Sequence, residues 1–445
     1  MEEKPGMGRR RFIAMTGLAA GASAGGCSSS DDEAPSACPG HAKALQPASP
    51  GRVALAKTGS AESNARALLD AWGGAESLFG PDDVVVLKVN AQWYAQGMTN
   101  TDVAAELIRA ILDRPGGFGG EIVVADNHHF REKDSRGWTT DNPNGRFNLG
   151  GLVASFRERG IERVSRAHWH DAGPNPEPWQ GDAGGGQLVE GPGEGEGYRW
   201  WLDECHVTPA GARCAMTWPV FRAPFVDEIV DLRDGCFREG KPTGRPIRLV
   251  NISSINHHSR YAGVTASIKN LMGIVDMTCG FQGPEPEGYV NTHYIGMKPS
   301  HDTWRWAKKK GGVTKKVVHK MLPEEKAIDF EHTGGALGHW MRTVRQPDLH
   351  VVTAEWVGFG SRTAKELSAR PGVTLAAKDP VALDATAARE VLLPATREAG
   401  GAGTRYLPHN DPDREEGPFH KFLAEARKEV GGVLERGKAD LVRLG

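Results

Sequence analysis

Side chains able to do acid and base chemistry recur in this sequence where apolar, strand-like runs end. The first run leaves through Lys88 and Asn90, which at a spacing of two point to the same side of a strand. The next leaves through Asp126, Asn127, His128 and His129, and later runs end at His257 and His258, at Glu355, and at Lys378 and Asp379. The stretch "HHSRYAGVTASIKNLMGI" (257–274) adds Thr265, Lys269 and Asn270. Around one substrate these residue types would divide the work. Lys88 and Lys269 hold negative charge, Asn90 and Asn270 orient the ligand, and His257 or His258 exchanges protons with Asp126, because imidazole titrates near neutral pH. Lys88, Asp126, His257, His258 and Lys269 are therefore the catalytic candidates. Asn90, Thr265, Asn270, Glu355, Asp379 and Asp384 are the candidates for holding the ligand or a cofactor.

Metal binding is a separate possibility. His168 and His170 in "RAHWHDAG" would share one face of a strand, a spacing suited to a divalent ion, and His128 is a third candidate ligand. Simpler roles compete with several of these assignments. Lys88 and Asp126 could bridge adjacent strands, Asp379 fits a helix cap, Asp384 could be an exposed polar position, and Lys269 could reach water along a half-buried helix. Adjacent histidines point apart, so each pair should supply one inward member. The basic run "KKKGGVTKKVVHK" (308–320) reads as solvated surface, with anion steering as the alternative. The one G-x-S-x-G match, "GASAG" at 21–25, falls inside the segment read below as an export signal, and no H-E-x-x-H or phosphate-binding glycine loop is present, which removes the commonest hydrolase and nucleotide assignments.

Bringing these groups together requires a sheet whose strands end on one edge, where the loops share a crevice. The sequence supplies such elements. "DDVVVLKVN" (82–90) reads as a buried strand, "TDVAAELIRAIL" (101–112) as a helix capped by Asn100 or Thr101, and "GGEIVVADN" (119–127) as the next strand, a βαβ unit with parallel strands. Helices are expected at 60–72 and 151–161, and strands at 245–253, 348–356 and 372–379. "DPVALDATAAREVLL" (379–393) has Asp379 at the N-cap and Pro380 at the first helical position. Val264, Ile268, Leu271, Met272, Ile274 and Val275 share one arc of a helical wheel, so this stretch reads as a short helix. Its opposite face carries Thr265, Ala266, Lys269, Asn270 and Gly273, small residues around one lysine that let something approach closely, and its N-terminus would favour an anion. The expected fold class is α/β, with mostly parallel sheets covered by helices, arranged as two Rossmann-like lobes around a cleft.

Length and composition set the frame. The chain has 445 residues, 39% of them hydrophobic, enough for two domains or one large α/β unit. A net charge of -2 argues against general nucleic-acid affinity, and no apolar run reaches the about 20 residues a membrane span needs. The opening "MGRRRFIAMTGLAAGASAGGC", with Arg9, Arg10 and Arg11 before a mildly apolar run, resembles a twin-arginine export signal. Cys27 would then be a possible lipid anchor, and the only membrane attachment expected. Residues 1–27 are read as signal, 28–58 as a flexible tether, 59–400 as the α/β domain with a Gly/Pro-rich insertion at 173–198, and 401–445 as a helical tail. The expected location is periplasmic or extracytoplasmic, where disulfides persist. Cys205 with Cys214 is the most plausible local disulfide, with buried free thiols as the alternative. No two cysteines form a C-x-x-C pair, so no iron–sulfur cluster is expected.

Four separated motifs, "VVVLKVN", "EIVVADN", "VTASIKNLMGIV" and "AAKDPVALDATAA", closely resemble the bacterial and archaeal family called domain of unknown function 362, over about Asp82 to about Leu393. The family pattern falls on Lys88 and Asn90, Asp126, His257 or His258, Thr265, Lys269 and Asn270, and on Asp379, Pro380, Ala382 and Asp384. Many relatives add a cysteine-rich ferredoxin-like module that this sequence lacks, and "AEWVGFGS" departs from the family's Glu-Gly and Gly-Pro pattern near Glu355. The expected function is an exported enzyme acting on a small anionic substrate in a cleft at the strand carboxyl ends. The alternative is a non-catalytic receptor or carrier that holds a ligand or a divalent metal in the same cleft.

Overall fold

The computed structural model describes residues 51–127, 136–169, 188–209, 211–277, 279, 289–293, 295–297 and 330–445. Alternation along the valine-rich runs decides the architecture. In β2 (Val84–Lys88), Val84 and Val86 pack on one side of the main sheet while Val85 and Leu87 pack on the other. A strand apolar on both faces must be covered on both faces. The main sheet has ten strands. Its path runs β15 (Asp440–Leu444), β1 (Arg52–Ala56), β14 (Val373–Ala377), β12 (Leu349–Gly358), β10 (Ile247–Ser259), β2, β3 (Glu121–Asp126), β4 (Val164–His168). The short β11 (Gly263–Thr265) pairs with β10, and β13 (Ser368–Ala369) pairs with β12.

One face is covered by α1 (Ala61–Ala71), α2 (Thr101–Leu112) and α3 (Leu149–Arg157), whose Leu68, Val103, Ile108, Leu152 and Phe156 are buried against Val85 and Val124. On the other face lie α4 (Ser267–Asn270), α5 (Glu331–Thr343), α6 (Pro380–Ala387) and α7 (Pro418–Val430). They share that core with a second, five-stranded antiparallel sheet of β5 (Gly197–Val207), β6 (Arg213–Ala223), β7 (Glu228–Asp231), β8 (Gly235–Arg238) and β9 (Lys241–Pro242). The described residues thus form one large mixed sheet and an antiparallel meander, where the sequence suggested two parallel-stranded lobes.

Directions matter most for the site. Strands β4, β3, β2, β10 and β12 run parallel, so their carboxyl ends share an edge. Strand β14 runs antiparallel to both of its neighbours, β12 and β1. Its exit at Lys378 and Asp379 therefore lies at the opposite edge, away from the crevice the sequence assigned it to.

Three further expectations change. The stretch 257–274 is not one helix. Strand β10 continues through His257 and His258 to Ser259, turns back through Gly263 into β11 with Asn256 opposite Thr265, and only then forms the single turn α4. Gly263 is required there, because its φ is +68° and a Cβ would lie 2.2 Å from His409 O. Residues 52–56, read as part of the tether, form the buried strand β1, and the tail is helical over Gly401–Asn410 and Pro418–Val430 before β15 joins the main sheet beside β1. Finally, Cys205 is disulfide-bonded whereas Cys214 is a free thiol. The β5–β6 register puts His206 opposite Cys214, so Cys205, one residue away, emerges on the other side of the hairpin and the two sulfurs cannot meet.

Candidate functional site

Lys88 ends β2 completely buried, with Nζ 2.8 Å from Asp126 Oδ1 at the end of β3. The amine also donates to Val89 O and, at 3.3 Å, to Asn270 Oδ1. The second carboxylate oxygen of Asp126 accepts from Ala91 N at 2.6 Å. Burial works against both charges, pushing Asp126 up to about 6 and Lys88 down. Gly273, just beyond α4, closes the pair off. A Cβ there would fall 2.0 Å from Asp126 Oδ1 and 2.5 Å from Lys88 Nζ. What lies close against the small-residue face of "VTASIKNLMGI" is this ion pair, sealed under the chain.

Asn270 extends the same buried network. Its Nδ2 donates to Asn251 Oδ1 at 2.8 Å, and Asn251 Nδ2 in turn donates to Ser267 O at 2.8 Å and lies 3.0 Å from His350 Nδ1. Burial pushes His350 down to about 3, so it is neutral at physiological pH and accepts from the amide. Asn90 is buried beside this group, with its backbone N–H donating to Thr99 Oγ1 at 2.7 Å. Lys88, Asp126 and Asn270 thus pin strands β2, β3 and β10 to α4.

A different set of side chains meets at the carboxyl ends of β10 and β12. His258 Nδ1 lies 3.1 Å from Thr265 Oγ1 on β11 and 3.1 Å from an Arg362 guanidinium nitrogen on the loop after β12. Arginine offers only donors, so Nδ1 carries the lone pair and the neutral ring bears its proton on Nε2. Lys269 Nζ, buried on α4, stands 3.0 Å from Met272 Sδ and 4.3 Å from the centroid of the Phe330 ring. The rings of His258 and His293 also pack on Phe330, at 5.9 and 5.7 Å. Burial, reinforced by Arg362, pushes Lys269 well down, and burial with Lys269 and Arg362 does the same to His258. Among the described residues no carboxylate lies within ion-pair reach of Lys269. The result is a cluster of basic side chains at the parallel edge, in which burial opposes the charged form of both the imidazole and the amine.

Residues 189–389 match the family model of a domain of unknown function, DUF362. No curated protein and no solved structure matches the chain. His258, Thr265, Lys269 and Arg362 all lie inside the DUF362 match, as do Asp379 and Asp384; Lys88, Asn90 and Asp126 precede it.

The remaining candidates within the DUF362 stretch are structural in their contacts. Asp384 is buried, not exposed. Its Oδ1 accepts from Ser267 N at 2.8 Å and Ser267 Oγ at 2.6 Å, and its Oδ2 accepts from Ile268 N at 3.0 Å. A carboxylate thus already occupies the N-terminus of α4, which the sequence had offered to an anionic ligand. Asp379 caps α6 through Ala382 N at 2.9 Å, and its other oxygen accepts from Gly51 N and Val433 N, tying β1 and the tail together. Glu355 accepts from Asn64 Nδ2 at 2.6 Å and Thr374 Oγ1 at 2.7 Å, fastening α1 to the sheet. His257 points away from His258, stacks on Tyr406 at 3.8 Å and lies 2.8 Å from Asn410 Oδ1, with burial pushing it down to about 4. His168 ends β4 opposite Asp126 in register and packs near Trp138. His128, His129, His170 and the basic run 308–320 lie outside the described residues.

Sequence reasoning missed Arg362 and the residue that fixes its loop, Gln96, whose Nε2 donates to Ser361 O at 3.2 Å and Ala364 O at 2.9 Å. The signal was an arginine placed directly after a strand exit in "WVGFGSRTA"; attention to Glu355 in the same segment obscured it. A His–Glu cluster between β5, α5 and α7 also escaped notice, because its members are spread over more than 200 residues.

Proposed function

We propose that Lys269, Arg362 and His258 line a hollow that binds a small anion, carboxylate- or phosphate-bearing, and that the protein is an enzyme acting on it. The observation that carries this reading is the buried Lys269 amine, which has an arginine nearby and no carboxylate partner among the described residues. Burying cationic groups together is unfavourable unless a negative charge joins them. An entering anion raises the proton affinity of Lys269 and His258, so both can take up a proton as substrate binds and return it to the reacting group. Thr265 and Arg362 orient the imidazole, while Lys88, Asp126 and Asn270 keep α4 in place beneath it.

Thermal unfolding of the purified protein with inorganic phosphate, sulfate, acetate and malonate tests the binding. At least one should stabilise the wild type, by about 2.7 kcal/mol when present at 100 times its dissociation constant. Lys269→Met should abolish that gain. Stabilisation that persists in both Lys269→Met and Arg362→Leu would overturn the site.

We further propose that the protein is exported by the twin-arginine route and tethered through Cys27. The Arg9–Arg11 segment motivates this, and the disulfide at Cys205 supports it, since such bonds persist in oxidising compartments.

A further inference from the structure

Strand β5 contributes Glu204 and His206, α5 contributes His339 and Arg342, and α7 contributes Glu429 to one cluster. His339 Nε2 is 2.7 Å from Glu204 Oε1, and His339 Nδ1 is 3.1 Å from Glu429 Oε2. His206 Nδ1 is 3.4 Å from Glu429 Oε1. The ligand atoms of His206, His339 and Glu429 all lie within 4.8 Å of one another. Gly335, one turn before His339, makes the room, since a Cβ there would sit 2.7 Å from His206 Nε2. His206 Nε2 and Glu204 Oε2 are buried with no hydrogen-bond partner among the described residues.

Arg342 completes the arrangement. Its Nε donates to Glu429 Oε2 at 2.8 Å, and a terminal guanidinium nitrogen lies 2.8 Å from His339 Nδ1. Because the guanidinium only donates, Nδ1 presents a lone pair and the Nε2 proton of His339 goes to Glu204. A carboxylate behind an imidazole, with the other nitrogen aimed at a cation, is the orienting arrangement of metal-binding histidines. The arginine already sits on the lone pairs of His339 and Glu429 that an ion would use. An ion there requires this side chain, which is 12% exposed, to move aside.

We propose that His206, His339 and Glu429 form a divalent-cation site, with Glu204 orienting His339 and Arg342 standing in for the ion until it binds. Two imidazoles and one carboxylate suit Zn²⁺, whose fourth position would hold water. A divalent ion in place of the single guanidinium charge balances both carboxylates.

The full chain, stripped by a chelator, is titrated with Zn²⁺ by calorimetry, and metal-free thermal unfolding of each variant verifies that it folds. The wild type should bind one Zn²⁺ per chain. His206→Gln should weaken binding at least about tenfold and Glu204→Gln about 10- to 100-fold. Arg342→Met should move affinity the other way, because it removes the competing cation. Absence of saturable binding in both the wild type and Arg342→Met overturns the site, as does affinity unchanged by His206→Gln. Should the cluster be only a structural salt-bridge network, Arg342→Met would lower stability without tightening zinc, which also sinks the proposal.

Discussion

A lysine and an aspartate sealed from water govern the centre of the sheet, and their behaviour can be tested one residue at a time. Replacing Lys88 with Met leaves Asp126 buried without its partner, a change that typically costs about 3 to 5 kcal/mol. The loss should depend on pH in a defined direction. Asp126 holds its proton up to about 6 in the folded protein even with Lys88 present, against about 3.9 in an unfolded chain. Its folded pKa is raised, so its charged form opposes folding, and wild-type stability falls as pH rises from about 4 through about 6 and then levels off, whereas without Lys88, which holds the pKa down, the fall extends further. Urea midpoints of Lys88→Met should therefore approach the wild type at pH 5 and fall well below it at pH 8. A deficit that is the same at both values would mean that Asp126 is not the group left unpaired. The residue types at 88 and 126 were visible in the sequence, and bridging was among the roles considered for them. What the sequence could not show is that Gly273 closes over them, because that depends on how two distant segments pack.

At the scale of elements, α4 matters more than its single turn suggests, because it presents Lys269 to the hollow on one side and Asn270 to the buried network on the other. Four residues cannot form a stable helix alone, since nucleation costs more than one turn returns. Asp384 on α6 holds the turn by accepting from Ser267 N, Ser267 Oγ and Ile268 N. Asp384→Ala strands these buried donors, at about 1 to 3 kcal/mol for each unsatisfied group. A fall in the urea midpoint together with weaker anion stabilisation is expected. Full stability in the variant would show that the turn is held by packing alone. The apolar period that suggested a single short helix from Val264 to Val275 was real, since all six arc residues are buried. It misled because a hairpin strand and a short helical turn bury the same residues when both faces are enclosed.

For the whole molecule, the order of strands decides which exits can cooperate. The βαβ unit of β2, α2 and β3 was legible because its period and caps are local, with Asn100 Oδ1 accepting from Asp102 N and Val103 N as the cap requires. The reversed direction of β14 was not, because a strand carries no local mark of whether its neighbour runs with it or against it. Export is a property of the entire chain and has its own test. Cell fractionation and mass spectrometry of the mature N-terminus should find the protein outside the cytoplasm, starting at a lipid-modified Cys27. Replacing Arg10 and Arg11 together with lysine should hold it inside as precursor; unchanged processing would remove the proposal.

The sequence by itself determined the α/β class, the runs that became β2, β3, β10 and β12, and the inclusion of His258, Thr265 and Lys269 among the candidates, since apolar periodicity and residue chemistry are local quantities. Tertiary structure alone decided that Lys88 and Asp126 are sealed, that Asp379, Asp384 and Glu355 serve as fasteners, and that Arg362 reaches His258. Burial and proximity set those roles, and both depend on which distant segments share space.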